Sequence, residues 1–240
     1  MNVFLAGATG VIGRPLIALL RSAGHAVTGT TRWAAKIANI EALGAKGVAV
    51  DAFDAEGLKR AVIAARPDVV IHQMTDLPDV SDPSKMAVMR EDNARLRIEG
   101  TRNLMAAAKA AGARRVVAQS IAFVYAPGPK PYREGNPLES DAANRVTIDG
   151  VKALEDAVLN TPGIDGIVLR YGRLYGPGTW FEKPGGPGPL TCGAAAQAAL
   201  LAMTRGAPGI YNIAEDDGTF SVEKARREFG FDPACRLAAP

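Results

Sequence analysis

Cysteine and histidine are nearly missing from this chain, with two of each in 240 residues. Cys192 and Cys235 form no CxxC pattern, and with so few histidines a zinc site of the usual ligand composition is not expected. Two lone cysteines read as the reduced thiols of a cytoplasmic protein, not as a disulfide framework. Aromatic residues make up 6%, which predicts an aliphatic core closely packed around many alanines. No apolar run reaches the roughly 18 residues of a membrane-crossing helix. The opening MNVFLAGATG has no basic segment ahead of an apolar one, so no secretory leader is expected. One-sided charge is absent too: 28 basic residues face 25 acidic ones, a net +3, which argues against a nucleic-acid surface. What remains is 48% hydrophobic and 22% charged, the composition of an ordinary globular protein. The partner such a chain implies is a small molecule, with no nucleic acid and no membrane; a homodimer stays open.

Short β-branched runs alternate with alanine-rich helical stretches, which predicts βα units around a parallel sheet. Strands are expected at residues 3–5, 26–28, 47–50 and 68–72. Helices are expected between them at 15–23, 37–43 and 55–65. Residues 91–111 place Leu96, Leu104, Met105 and Ala108 at helical spacing, and Gly112 closes that helix. A fifth strand begins at 116–118. Residues 126–147 read as a long proline-bearing loop of the kind that covers sites. A helix at 151–159, a strand at 166–170 and a second irregular segment at 176–190 follow. An alanine-rich helix near 194–204 and the apolar run 209–213 complete the chain. The expected architecture is α/β, a doubly wound parallel Rossmann sheet of about seven strands. Residues 1–170 form the dinucleotide domain, and residues 171–240 a small substrate-side cap that partly returns to it.

The strongest local motif is Gly7-Ala8-Thr9-Gly10-Val11-Ile12-Gly13, directly after a strand and opening a helix. Gly7 permits the tight turn, Gly10 lets the backbone approach a pyrophosphate, and Gly13 allows close helix–strand packing. The helix N-terminus then offers N–H groups and positive dipole to the anion. NAD sites usually end the second strand with an acid for the ribose hydroxyls. Here the stretch is Gly29-Thr30-Thr31-Arg32, with no acid before Glu41. Arg32, with Lys36 nearby, suits a 2′-phosphate. The cofactor expected is therefore NADP in preference to NAD.

With these motifs the chain resembles the extended short-chain dehydrogenase/reductases, the NAD(P)-dependent epimerase and dehydratase group. Besides the glycine turn, Asp51, Asp68-Val69-Val70-Ile71-His72 and Gly100-Thr101-Arg102-Asn103-Leu104 resemble the family. So do Val124-Tyr125, Leu169-Arg170-Tyr171-Gly172-Arg173-Leu174-Tyr175-Gly176-Pro177-Gly178 and Tyr211-Asn212-Ile213. The resemblance implies a dinucleotide held by Gly7, Thr9, Gly10, Val11, Ile12 and Gly13. It adds Thr31, Arg32 and Lys36 after the second strand, Asp51 and Ala52 after the third, and Gln73, Met74 and Thr75 after the fourth. Lys152 and Tyr171 complete the set, with Asp51 on the adenine amino group.

The family reacts through a Tyr and a Lys four residues apart on one helix face, with a Ser and often an Asn. Lys152 is taken as the Lys, which leaves Ile148 at the Tyr position. Counting back from Tyr125 puts Ile121 at the Ser position, with Ser120 beside it. The Asn position holds Arg97, with Asn93 a turn earlier. Ile cannot exchange a proton, so the standard mechanism lacks its donor. Three readings follow: an oxidoreductase or epimerase-like enzyme on a small hydroxy or carbonyl compound, a non-catalytic NADP sensor or interaction module, or a non-redox enzyme. For the first, Lys152, Ser120 and Tyr125 are the candidate catalytic residues, with Tyr171 and Tyr175 as further phenols. His72 reads as packing beneath the cofactor. Asp76 and Asp79 follow the fourth strand, where open sheets bind ligands. Arg170 and Arg173 suit either an anion or a paired acid. Asp149 lies about 100° around the helix from Ile148.

Overall fold

The computed structural model describes residues 1–77 and 83–237. Seven strands form one parallel sheet: β1 (Asn2–Ala6), β2 (Ala26–Thr31), β3 (Lys46–Ala49), β4 (Val69–His72), β5 (Arg115–Ile121), β6 (Asp165–Tyr171) and β9 (Gly209–Ile213). Their order is β3-β2-β1-β4-β5-β6-β9, and every neighbouring pair is parallel. Two further short strands, β7 (Arg173–Tyr175) and β8 (Pro189–Thr191), form a separate parallel pair that brackets the stretch read as irregular.

Residue alternation along β1 shows why helices cover both faces. Val3 and Leu5 enter one core with Leu16, Ile17 and Leu20 of α1 (Gly13–Ser22) and the alanines of α7 (Cys192–Ala202). Phe4 and Ala6 point the other way, onto Leu58 and Val62 of α3 (Ala55–Ala65), Leu104 and Met105 of α5 (Thr101–Ala110) and Leu154 of α6 (Arg145–Leu159). Period-two alternation with both faces apolar is the signature of a buried parallel sheet. The short α2 (Ile37–Glu41) and the late α8 (Glu223–Phe229) complete the helical layers. Among the described residues no helix is long and apolar enough to cross a membrane. Both cysteines are free thiols.

Three elements differ from the sequence reading. The helix expected at 91–111 begins earlier as α4 (Met86–Arg95), continues through one π-helical turn, Leu96–Gly100, and runs on as α5. The helix expected at 151–159 begins six residues earlier, at Arg145. The segment at 209–213 does not stand apart as a cap strand: it is β9, at the sheet edge beside β6. Its neighbour α7 packs on α1, where Ala195, Ala198, Ala199 and Ala202 are fully buried.

The chain leaves β1 for β2 and β3 on one side, then crosses to β4 on the other. A crevice therefore opens beyond the carboxyl ends of β1 and β4, at the topological switch point.

Candidate cofactor and substrate cavity

A cavity of about 970 Å³ occupies that crevice. Gly7, Thr9, Gly10 and Val11 line it at one end, with Thr31, Arg32, Lys36, Asp51 and Ala52 alongside. Gln73, Met74 and Thr75 follow from β4, and Gln119, Ser120, Ile148 and Tyr171 lie farther along. Ile12 and Gly13 are buried beneath the turn. A smaller cavity of about 420 Å³ adjoins it, sharing Arg32 and Asp51 and adding Arg60.

The glycine turn separates its structural needs from its functional one. Gly7 has φ +87°, and a Cβ there would meet the Gln73 carbonyl oxygen at 2.5 Å. A Cβ at Gly13 would meet the Gly7 carbonyl oxygen at 2.3 Å. Both are required by the protein's own backbone. At Gly10 a Cβ would find only the Gly7 oxygen, at an ordinary 3.4 Å. The exposed Gly10 thus keeps open a cradle that a side chain would fill from the cavity side. No side chain caps the N-terminus of α1. An anion fits the residues present.

At the far end of β2, Arg32 is engaged in a fork with Asp76: Nη2 donates to Oδ1 at 2.7 Å and Nη1 to Oδ2 at 3.1 Å. The guanidinium also lies over the Trp33 ring. The Asp76 amide donates to Asn93 Oδ1, which holds that loop against α4. Asp51 accepts from the Phe53 amide at 2.9 Å. Asp79 lies outside the described residues.

Lys152, expected as a catalytic and cofactor-binding residue, stands apart from the cavity. It is exposed and does not line the cavity, whereas Val151, Leu154, Glu155 and Val158 form the buried face of α6. At about 100° per residue, Lys152 falls roughly a quarter turn off that face. Asn144, Thr147 and Ile148 of the same segment do line the cavity. Ile148 therefore faces the site, but its partner at i+4 does not.

Ser120 and Tyr125, the other expected catalytic residues, have hydroxyls engaged within the protein. Ser120 Oγ donates to Glu155 Oε1 at 2.8 Å, and Arg170 grips the same carboxylate at 2.8 and 2.7 Å. Arg170 Nη1 donates to the Tyr125 hydroxyl at 3.0 Å, and that hydroxyl donates to Asn212 Oδ1 at 2.6 Å. Tyr125 is not among the cavity-lining residues, and burial holds its phenol above the usual tyrosine value. This network is a buried ionic strut linking β5, α6, β6 and β9. It resolves Arg170 as the partner of an acid. Tyr171 lines the cavity, yet its hydroxyl accepts from Gln73 Nε2 and donates to the Ala195 carbonyl, and burial raises its pKa. Tyr175 donates to Glu215.

His72 is fully enclosed. Its Nδ1 accepts from the Met74 amide, so the proton sits on Nε2 and is donated to Thr101 Oγ1 at 3.0 Å. Burial first, and then the Arg97 charge, hold its pKa down to about 4. The sequence reading expected a packing role for this histidine, and it is buried.

Two charged residues escaped that reading as site residues. Glu155 falls on the apolar face of α6, where only a paired carboxylate is tolerated. That position was the available signal. Arg97 is 9% exposed and lines the cavity. Desolvation lowers its pKa to about 10, so it remains a cation at neutral pH.

A family model described as NAD(P)H-binding matches residues 7–182. A 3-diazoavenalumate denitrifying reductase from a Streptomyces species is 47% identical over 190 residues, covering 78% of this chain and 60% of the relative. This chain thus spans about 60% of that protein's length. Among solved structures, a UDP-glucose 4-epimerase from Thermotoga maritima superposes with TM-score 0.82 at 17% identity, over 98% of this chain and 94% of the other. A dTDP-glucose 4,6-dehydratase from Streptomyces venezuelae, solved with NAD bound, gives 0.78 at 18%, over 99% and 93%. These likenesses are to the fold of the epimerase and dehydratase group.

Proposed function

Because this chain belongs to the NAD(P)H-binding family, whose model spans most of it, we propose that it is an NADP(H)-linked reductase of a small substrate that needs no tyrosine proton donor. The observation that carries this reading is the cavity wall on α6. It presents Asn144, Thr147 and Ile148, with Lys152 turned to solvent and no phenol–ammonium pair.

The glycine turn and the N-terminus of α1 hold the pyrophosphate, Asp51 the adenine, and Arg32 the 2′-phosphate after exchanging Asp76 for it. When bound, the dinucleotide supplies a hydride at nicotinamide C4. The chain's part is to orient the acceptor and to exclude water, for which Phe123, Trp180, Phe181, Met86 and Met89 furnish apolar lining. Reducing a carbonyl creates an alkoxide that must be protonated, and this wall carries neither the phenol nor the ammonium that would do so in the family. A diazo group is different: it accepts the hydride's electron pair at its terminal nitrogen. The neutral diazene so formed loses its N–H proton, the C–N bond breaks as dinitrogen leaves, and the carbon takes back one proton, so no net proton is required. The name of the Streptomyces relative describes a reductase that denitrifies a diazo compound, which supports this substrate class.

The test is NADPH consumption and nitrogen release with 4-hydroxybenzenediazonium, measured above the protein-free rate, beside a panel of ketones and aldehydes. Turnover of the diazonium alone is expected. Turnover of carbonyls, or tight NADPH binding with no turnover of either class, would overturn it; the second result favours a sensor.

A further inference from the structure

Residues 97 and 98 invert the usual sorting of side chains. Ile98 is 43% exposed while its neighbour Arg97 is 9% exposed. Both lie in the π-helical turn Leu96–Gly100 between α4 and α5. A single π turn inside an α-helix shifts the following side chains around the axis, and such turns cluster at functional sites. Here the turn sends a guanidinium inward where the helix has an isoleucine to offer.

That guanidinium makes no hydrogen bond and no ion pair with any described residue. Glu155 is the one acid whose charge it feels, and both Glu155 oxygens are already taken by Arg170 and Ser120. His72, also within its field, is neutral and donates elsewhere. A buried cation without a counterion costs several kcal/mol unless something pairs with it. The open side of Arg97 is the cavity, on the wall shared with Gln119, Ser120 and Ile148.

We infer that Arg97 binds a carboxylate of the substrate, an inference that rests on the reductase reading above. The planar fork of donors matches a carboxylate in two parallel hydrogen bonds. The cofactor's pyrophosphate is not the anion in question. Its cradle leads into α1 on one face of the sheet, whereas the α4–α5 helix covers the other. Phe123, Trp180 and Phe181 line the same cavity, so the matching ligand is an aromatic carboxylate. Arg97 therefore sets specificity and places the reacting group; it does not exchange a proton.

The probes are benzoate and its neutral isostere benzamide, titrated by calorimetry into the protein saturated with NADP⁺. Benzoate should bind at least about tenfold more tightly than benzamide. R97M should erase that preference, R97K should keep part of it, and NADPH affinity should stay within about twofold in both. R97M removes a buried unpaired charge, so its unfolding midpoint should not fall, which separates loss of binding from loss of fold. Equal affinity for the two probes, no benzoate binding, or a preference that survives in R97M would overturn the inference. Failure of the wild-type protein to bind NADPH would instead overturn the cofactor reading. An Arg97-dependent benzoate preference in that case would still support the anion site.

Discussion

Replacing Arg32 by alanine should separate the two nicotinamide dinucleotides. In this structure the Arg32 side chain is 46% exposed and its partner Asp76 22% exposed. A pair that accessible contributes about 0–1 kcal/mol to folding, so R32A should barely move the unfolding midpoint. Binding is another matter. A charge-assisted contact to a 2′-phosphate is worth about 1.5–3 kcal/mol. Partial exposure and the loss of the Asp76 fork reduce the net to about 1–2 kcal/mol, or roughly a 5- to 30-fold rise in the Kd for NADPH. NADH has no 2′-phosphate and should be nearly unaffected. Asp76→Ala gives the opposite sign: it removes both a competitor for Arg32 and a like charge beside the phosphate. NADPH should then bind about 2- to 5-fold more tightly. In the R32A/D76A double variant that gain should shrink, because the two residues share one interaction. Calorimetry with both cofactors on all four proteins reads the whole cycle. An R32A variant that weakens NADH as much as NADPH, or a D76A variant that weakens NADPH, refutes the phosphate role of Arg32.

Glu155→Gln should cost about 3–5 kcal/mol in denaturant unfolding, since it leaves Arg170, 3% exposed, with an uncompensated charge; restoring neutrality with E155Q/R170M should recover part of the loss. His72 has its pKa lowered from 6.5 to about 4, so the unfolded chain takes up a proton in that interval and the native one does not. Its contribution is complete above about pH 6.5, is lost as pH falls toward 4, and amounts to about 3 kcal/mol; stability against pH should be flatter in His72→Asn. Ile148→Tyr should produce no carbonyl reductase activity, because Lys152 lies off the cavity face; measurable NADPH-dependent ketone reduction by that variant would mean that the α6 register described here is wrong.

The parts of this molecule that were legible in its sequence are those set by backbone rules. Residues 7–13 announce themselves because a left-handed φ at Gly7 and a crowded Gly13 leave no choice of residue. The alternation of Val3 and Leu5 with Phe4 and Ala6 is enough to imply a sheet covered on both faces. Residues that follow the ends of β2, β3 and β4 line the cavity because an open parallel sheet places its crevice beyond the carboxyl ends of its strands. Legibility failed on α6, where counting from a motif placed Lys152 one residue off the face that Val151 and Glu155 define. The helix's own apolar spacing at 148, 151, 154 and 158 would have shown it. It failed again at Ser120, Tyr125 and Arg170, since a hydroxyl's fate depends on partners up to 87 residues away, which no local pattern encodes. Arg97 was noted only as a residue in the wrong place. Its burial depends on a π turn that has no sequence signature of its own.

The position of β9 at the edge of the sheet has a consequence for the order in which this chain can fold as it is synthesised. Until residues 209–213 leave the ribosome, β6 carries an unpaired edge of N–H and C=O groups, the kind of template on which chains aggregate. The same strand brings Asn212, whose side chain receives the Tyr125 proton and whose amide engages Glu134. The ionic strut is therefore assembled only when a strand from the last part of the chain arrives. A nascent or truncated chain that stops after β6 holds the cofactor cradle complete in sequence, yet it leaves that edge open and the strut short of its final acceptor.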